Sequence, residues 1–365
     1  MPKRYWATSV AAALLIAATT LAMPASATYI QTNLVSGTSD LDLINPWGLA
    51  ATATSPFWVA DNGSGLGTLY NGSGTKQGLV VTIPPGGTAT PTGVVFNSSP
   101  NFNNDPFVFA TENGTIAGWR GALSTSAEIL FISPDAIYKG LAIGSNSTYT
   151  YLYAANFFSA QIDVFPGTGA PALSGSFTDP NLPAGYAPFN IQNIGGSLYV
   201  TYALRNIAGN VVSGAGNGIV DVFDTNGNFV KRLISGGSLN SPWGLALAPA
   251  NFGDYSSALL VGNSGDGLIN AFDLITGNLL GSLVDDLTNM PIAIDGLWGL
   301  DFGNGGNGGQ TNELFFTAGP NDGANGLFGK IVSTTSSSSV PEPATLALMG
   351  LGLAGMGMQR RRRAH

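Results

Sequence analysis

Between residues 28 and 332 the apolar positions fall into short runs of four to seven residues. The runs are rich in β-branched and aromatic types and bounded by Gly, Asn, Asp or Pro, the pattern of strands separated by tight turns. Helical periodicity is missing from this stretch. The runs also recur. "NPWGLA" (45–50) returns as "SPWGLA" (241–246) and, more loosely, as "TPTGVVF" (90–96), "IYKGLAI" (137–143), "APFNIQN" (187–193) and "GLWGLDF" (296–302). The matching positions are Gly48, Gly93, Gly140, Asn190, Gly244 and Gly299, spaced 45 to 55 residues apart. Each first run is followed by a second ("FWVAD", "FVFAT", "LYAAN", "LYVTY", "LLVGN", "LFFTA") and, after a polar turn, by a third. A fourth is readable at 79–83, 128–132, 172–177, 228–234 and 278–284. The sixth unit has none, while "TYIQTNLVS" (28–36) stands unpaired ahead of the first.

Six units of four short strands predict an all-β, six-bladed β-propeller in which the N-terminal strand completes the last blade and removes an exposed edge. A two-sheet sandwich would not show a period near 50 residues. Aromatics recur at the third-strand positions Tyr70, Trp119, Phe165, Phe223 and Phe272 and at the first-strand positions Trp47, Trp243 and Trp298. Repetition at blade spacing assigns both sets to packing between neighbouring blades.

The two ends read differently. Lys3 and Arg4, an apolar run from Val10 to Ala22 and the small residues Ala25-Ser26-Ala27 have the layout of a secretory signal peptide cleaved between Ala27 and Thr28. At the other end, Ser333 to Ser339 form a flexible spacer, and Pro341-Glu342-Pro343 precede an uncharged run, 344–358, and the cluster Arg360, Arg361, Arg362 and Arg363. The prolines keep the motif extended. The run suits a short transmembrane helix, with the arginines held on the cytoplasmic side. The expected organisation is a signal helix over 1–27, a propeller over 28–332, a Ser/Thr-rich linker over 333–340 and a sorting tail over 341–365.

This tail resembles the PEP-CTERM sorting signal of exported proteins of Gram-negative bacteria. The resemblance implies an exosortase as processing partner, transient anchoring in the inner membrane, and final release to the cell surface or an extracellular matrix. Through "TNLVS", "NPWGLA", "FWVADNGSG", "YAPFNIQN" and "SPWGLALAP" the remaining chain is similar to an uncharacterised bacterial family of PEP-CTERM-tailed propellers, related to NHL-type and lactonase-like ones. That likeness implies the fold and carries no assigned activity.

Composition narrows the chemistry. There is no cysteine, and the single histidine is His365, so the propeller offers no thiol nucleophile, no histidine base and no Ser-His-Asp triad. Residues 28–340 carry seven basic against twenty acidic side chains, a net −13, which disfavours nucleic acid and favours cations. Calcium is the cofactor such a domain would take, because it accepts carboxylate and amide oxygens. Asp61, Asn156 and Asn263 end equivalent second strands, and Asp266 lies in the glycine-rich turn "GNSGDG"; these are the candidate ligands, although Asn-Gly and Asp-Gly pairs are also ordinary turn chemistry. Other acids, Glu112, Asp163, Asp221 and Asp295, show no convincing pairing for acid–base work. The sequence therefore favours a non-catalytic propeller binding a carbohydrate, peptide or protein at the envelope. A calcium-dependent, lactonase-like hydrolase, with calcium held by Glu, Asn and Asp, is the alternative.

Overall fold

The computed structural model describes residues 28–86 and 89–334. The expected signal peptide, most of the expected linker, the Pro-Glu-Pro motif, the 344–358 run and the arginines lie outside the described residues. Among the described residues, no helix is long and apolar enough to cross a membrane.

Twenty-three strands form six antiparallel sheets. The chain starts with β1 (Tyr29–Ser36) and then builds blade one from β2 (Pro46–Ala50), β3 (Phe57–Asp61), β4 (Leu66–Tyr70) and β5 (Val81–Thr82). Blade two is β6 (Pro91–Phe96), β7 (Phe107–Thr111), β8 (Thr115–Trp119) and β9 (Glu128–Ile132). Blade three has β10 (Tyr138–Ser145), β11 (Thr150–Asn156) and β12 (Gln161–Pro166). Blade four is β13 (Tyr186–Ile194), β14 (Ser197–Leu204), β15 (Ile219–Phe223) and β16 (Phe229–Ser235). Blade five is β17 (Pro242–Leu247), β18 (Leu259–Asn263), β19 (Ile269–Phe272) and β20 (Leu279–Ser282). Blade six, β21 (Leu297–Phe302), β22 (Glu313–Ala318) and β23 (Leu327–Ser333), takes β1 as its outer strand.

The seam runs antiparallel from Tyr29 opposite Ser333 to Ser36 opposite Leu327. It extends one residue further, because the Thr334 amide donates to the Thr28 carbonyl at 2.8 Å. The strand thus passes the 332 boundary read from the sequence. Tyr29 is fully buried against Phe252 and Tyr255 of blade five, so the closing strand also ties two blades together.

One expected strand is missing. Residues 172–177 do not pair with β12; the Gly175 and Phe177 amides instead donate to the carbonyls of Asn226 and Gly227, at 2.9 and 3.0 Å, in the turn between β15 and β16. Pro166 and Pro171 flank the gap and supply no amide to a ladder. Burial of Phe177 against Tyr153 and Phe223 draws the segment onto blade four.

The third-strand aromatics pack across blade boundaries as their spacing predicts. Tyr70 stacks on Phe328 of blade six, Trp119 lies against Trp58 of blade one, and Phe165 against Phe131 of blade two. The inner strands obey a tighter rule. In all six blades the pairing of the first two strands slips at the same place, for example between Pro46 and Leu49 and between Pro242 and Gly244, a repeated bulge that bends each inner strand at the axis. A methyl group added at Gly48 would lie 2.5 Å from the Thr92 carbonyl oxygen, at Gly93 2.4 Å from the Leu141 amide, at Gly244 2.5 Å from the Trp298 carbonyl oxygen, and at Gly299 2.5 Å from the Trp47 carbonyl oxygen. At Gly140 it would meet the Asn190 side chain at 2.1 Å. Each repeat glycine therefore makes room for the next blade's backbone, or for the one side chain that stands in the ring. Asn190, the sole exception, donates its amide to the Trp243 carbonyl of the following blade at 2.8 Å.

Candidate functional site

Where the inner strands begin, Trp47, Trp243 and Trp298 meet across the axis. Trp47 stacks on Trp298 with centroids 3.6 Å apart, and Trp243 sits edge-on to both at 5.9 and 6.0 Å. Phe157 and Phe189 complete a buried cluster with them. The tryptophans pack between blades as their spacing predicts, Trp47 of blade one on Trp298 of blade six. What the spacing does not show is that all three, each lying within the register slip of its inner strand, meet one another. The channel is closed at this level, which leaves Trp47 Nε1 buried with no hydrogen-bond partner.

On one side of the plug lies a polar network. Lys139 Nζ pairs with Glu112 Oε1 and stands 5.1 Å from the centre of the Trp47 ring. Glu112 Oε2 accepts from Asn62 at 3.0 Å, Asn62 Oδ1 from Asn45 at 3.1 Å, and Asn45 Oδ1 from Trp298 Nε1 at 3.1 Å. Trp243 Nε1 donates to the Lys139 carbonyl at 2.9 Å. Groups from five blades are thus laced over the aromatic plug, and the ammonium already satisfies the carboxylate.

On the other side the channel opens into a cavity of about 320 Å³. Its wall is built from residues at and after the ring position in five blades, including Leu49, Val94, Phe96, Leu141, Ile143 and Leu300, and blade five contributes Trp243 of the plug. The result is a blind well. Among its lining residues Asp301 alone is titratable. Its Oδ1 accepts from the Phe302 amide at 2.8 Å, its one hydrogen bond among the described residues. Desolvation pushes the carboxyl up to about 7, with the Phe302 amide opposing. Of the amide side chains in the wall, Asn190 is committed to Trp243, and Asn193 to the Ile143 carbonyl at 3.0 Å and the Gly196 amide at 3.0 Å. Gln192 is left free.

Sequence reasoning did not single out Asp301, although the repeat alignment holds the signal. Two residues after the ring position stand Ala50, Val95, Ala142 and Ala246, small apolar groups, against Gln192 and Asp301. Lys139 was likewise passed over, one residue ahead of its glycine.

The residues proposed for calcium occupy separate places. Asp61 is fully buried, accepts from Thr68 Oγ1 at 2.6 Å and leaves Oδ1 unpartnered; burial raises its carboxyl well above the usual range. Asn156 accepts from the Ile137 amide at 3.3 Å and donates to Asp163 at 2.9 Å. Asn263 accepts from the Asn240 amide at 3.1 Å and donates to the Ser238 carbonyl at 2.8 Å. Asp266 accepts from Asn240 Nδ2 and the Leu268 amide, both at 3.1 Å. Each fastens turns within its own blade. Among the described residues there is no group of three or more carboxylate or histidine side chains arranged to hold a metal. Asp221 is buried beside Asp179, both facing Arg232, and its carboxyl is pushed up to about 7, first by desolvation and then by Asp179. Asp295 accepts from the Asn321 amide at 2.9 Å.

Residues 339–363 match the PEP-CTERM protein-sorting motif, which marks an exported protein that an exosortase processes from a membrane-anchored form. Among solved structures, the PQQ-bound aldose sugar dehydrogenase of Streptomyces coelicolor superposes with a TM-score of 0.51 at 14% identity, covering 85% of this chain and 99% of its own; the likeness is one of fold. Two uncharacterized proteins of Acanthamoeba polyphaga mimivirus are similar along most of their length. R648 is 34% identical over 80% of this chain and 76% of its own, and L690 is 32% identical over 82% and 83%. The chain belongs to one protein family with these two mimivirus proteins.

Proposed function

We propose that the protein is a non-catalytic binding propeller, exported and retained at the surface or in the polysaccharide matrix of a Gram-negative cell, with the blind well as its ligand site. The observation that carries this reading is the well itself, a concave cavity at the axis whose wall mixes aliphatic side chains with amide and backbone groups and holds a single titratable residue. Such a cavity is the ordinary form of a small-molecule site. One carboxyl without a nucleophile or partner acid supplies only one half of the pair that glycoside hydrolysis requires. The calcium-dependent hydrolase is less well supported. Of the Glu–Asn–Asn oxygens on the other side of the plug, Glu112 is engaged by the Lys139 ammonium, Asn62 by Asn45 and Asn45 by Trp298, and calcium would have to displace these partners.

The test uses the full-length chain in mild detergent, screened by tryptophan fluorescence and thermal shift against small sugars, amines, acids and calcium. Binding by at least one organic compound, abolished when Gln192→Trp, at a half-buried lining position, narrows the well, is the expected result. Calcium uptake with lactone hydrolysis, or a Gln192→Trp variant that binds as the wild type does, refutes it.

A further inference from the structure

We propose that the well selects a small organic cation, a primary or quaternary ammonium compound, and that Asp301 is its charge partner. The proposal rests on the reading of the well as a ligand site and names what fills it.

The charge balance of the chain leads there. The described residues contain seven cationic side chains, and every one is committed elsewhere. Lys76, Arg120, Lys139, Arg232 and Lys330 pair with carboxylates, Arg205 donates to the carbonyls of Phe157 and Phe158, and Lys231 to that of Ile275. None reaches Asp301. Asp301 is half-buried on this wall with one amide donor among the described residues, and a carboxylate partly withdrawn from water gains when a counter-charge arrives. Its neighbours in the wall, Leu49, Val94, Leu141 and Leu300, cannot supply one. Phe96 and Trp243 bring aromatic rings to the same wall, which suit an ammonium or its methyl groups. The net −13 of residues 28–340 draws cations towards the molecule from a distance.

The same inventory argues against a sugar. A pyranose presents hydroxyls around its whole edge and needs donors as well as acceptors, whereas the Asn190 amide nitrogen and both ends of Asn193 are engaged, leaving Gln192 as the one side-chain donor in the wall. At about 320 Å³ the well stands at the small end of ligand cavities, which run from about 300 to 1,000 Å³. A compact cation is accommodated there; a polymer is not.

The experiment compares choline with 3,3-dimethyl-1-butanol, its uncharged carbon isostere, and with glucose, by calorimetry on the full-length chain in mild detergent. Choline is expected to bind at least about tenfold more tightly than the isostere, since only the charged compound gains from the carboxylate. Asp301→Asn, of the same shape, is expected to remove that preference in a protein that melts at or above the wild-type temperature. A second measurement needs no variant. Choline affinity falls roughly tenfold per pH unit below about 7, as protons compete for Asp301, while the isostere shows no such slope. Equal binding of choline and isostere, a flat pH profile for choline, or glucose binding indifferent to Asp301→Asn overturns the cation assignment and leaves the well as a ligand site. If none of these compounds binds and the wider screen also finds nothing, both readings fall together.

Discussion

Gly244→Ala tests the geometry on which the well depends. The added methyl would sit 2.5 Å from the Trp298 carbonyl oxygen and 2.8 Å from Leu300 Cγ, where ordinary contact begins near 3.4 Å. The backbone at Gly244 is outside the left-handed region, so alanine meets no conformational penalty there and the whole effect is steric. Overpacking of this kind costs about 1–3 kcal/mol. The lower entropy of the unfolded alanine chain offsets about 0.4–1 kcal/mol of that. Because the obstructing atom belongs to the backbone of the next inner strand, relief requires blade five to move against blade six, which puts the steric cost near the top of that range and the net loss at about 2 kcal/mol. For a domain of this size each kcal/mol lowers the melting temperature by about 2 °C, so the variant should melt about 4 °C below wild type in a tryptophan-fluorescence scan. Gly78→Ala is the control, since a methyl there meets nothing within 4 Å; it should melt at or slightly above the wild-type temperature. A Gly244→Ala protein as stable as the control would refute the close-approach ring.

Other outcomes follow from the same structure. Asn190→Ala removes the donor to the Trp243 carbonyl and should cost about 1–3 kcal/mol, read as a lower urea midpoint at unchanged slope. Trp47→Ala should cost about 3–5 kcal/mol and open the plug, so that acrylamide quenches the remaining channel tryptophans more strongly; quenching identical to wild type would mean the channel is not closed there. For Asp301 the raised carboxyl means that the unfolded chain binds fewer protons than the folded one between about pH 4 and 7. Folding stability from this group therefore falls as pH rises through that window. Asp301→Asn should accordingly melt above wild type at pH 8, with the advantage vanishing by pH 4. Replacing Glu342 in cells that carry an exosortase should block processing and leave the protein in the membrane fraction; unchanged release would show that the motif is not read.

The framework was legible because it is periodic. Turn residues and β-branched runs repeat six times, and the solitary strand at 28–36 has one vacancy to fill, beside β23. What the sequence concealed lies where the repeats break or where a side chain leaves its blade. Residues 172–177 have strand composition, yet Pro166 and Pro171 and the burial of Phe177 turn them onto blade four. The three tryptophans repeat like packing residues and pack as such, but their spacing does not show that they meet one another. Asp301 sits within the recognised "GLWGLDF" run, where attention to the repeated Trp-Gly pair masks the one charged substitution. Turn acids and amides such as Asn156, Asn263 and Asp266 attract notice by type, and the structure shows each already holding local backbone amides or side chains.

The pairing of β1 with β23 has a consequence for the order of events in assembly. The strand that emerges first from any translocating machinery is the one whose partner emerges last, so β1 must wait, unpaired, while the five intervening blades form. Bringing together ends separated by some 300 residues carries a closure entropy that grows only slowly with length, roughly as its logarithm, so the wait limits the rate of completion more than the final stability. Until the join is made, β23 presents an open edge to any neighbouring chain. Crowded export of incomplete rings would then favour exchange of first strands between molecules.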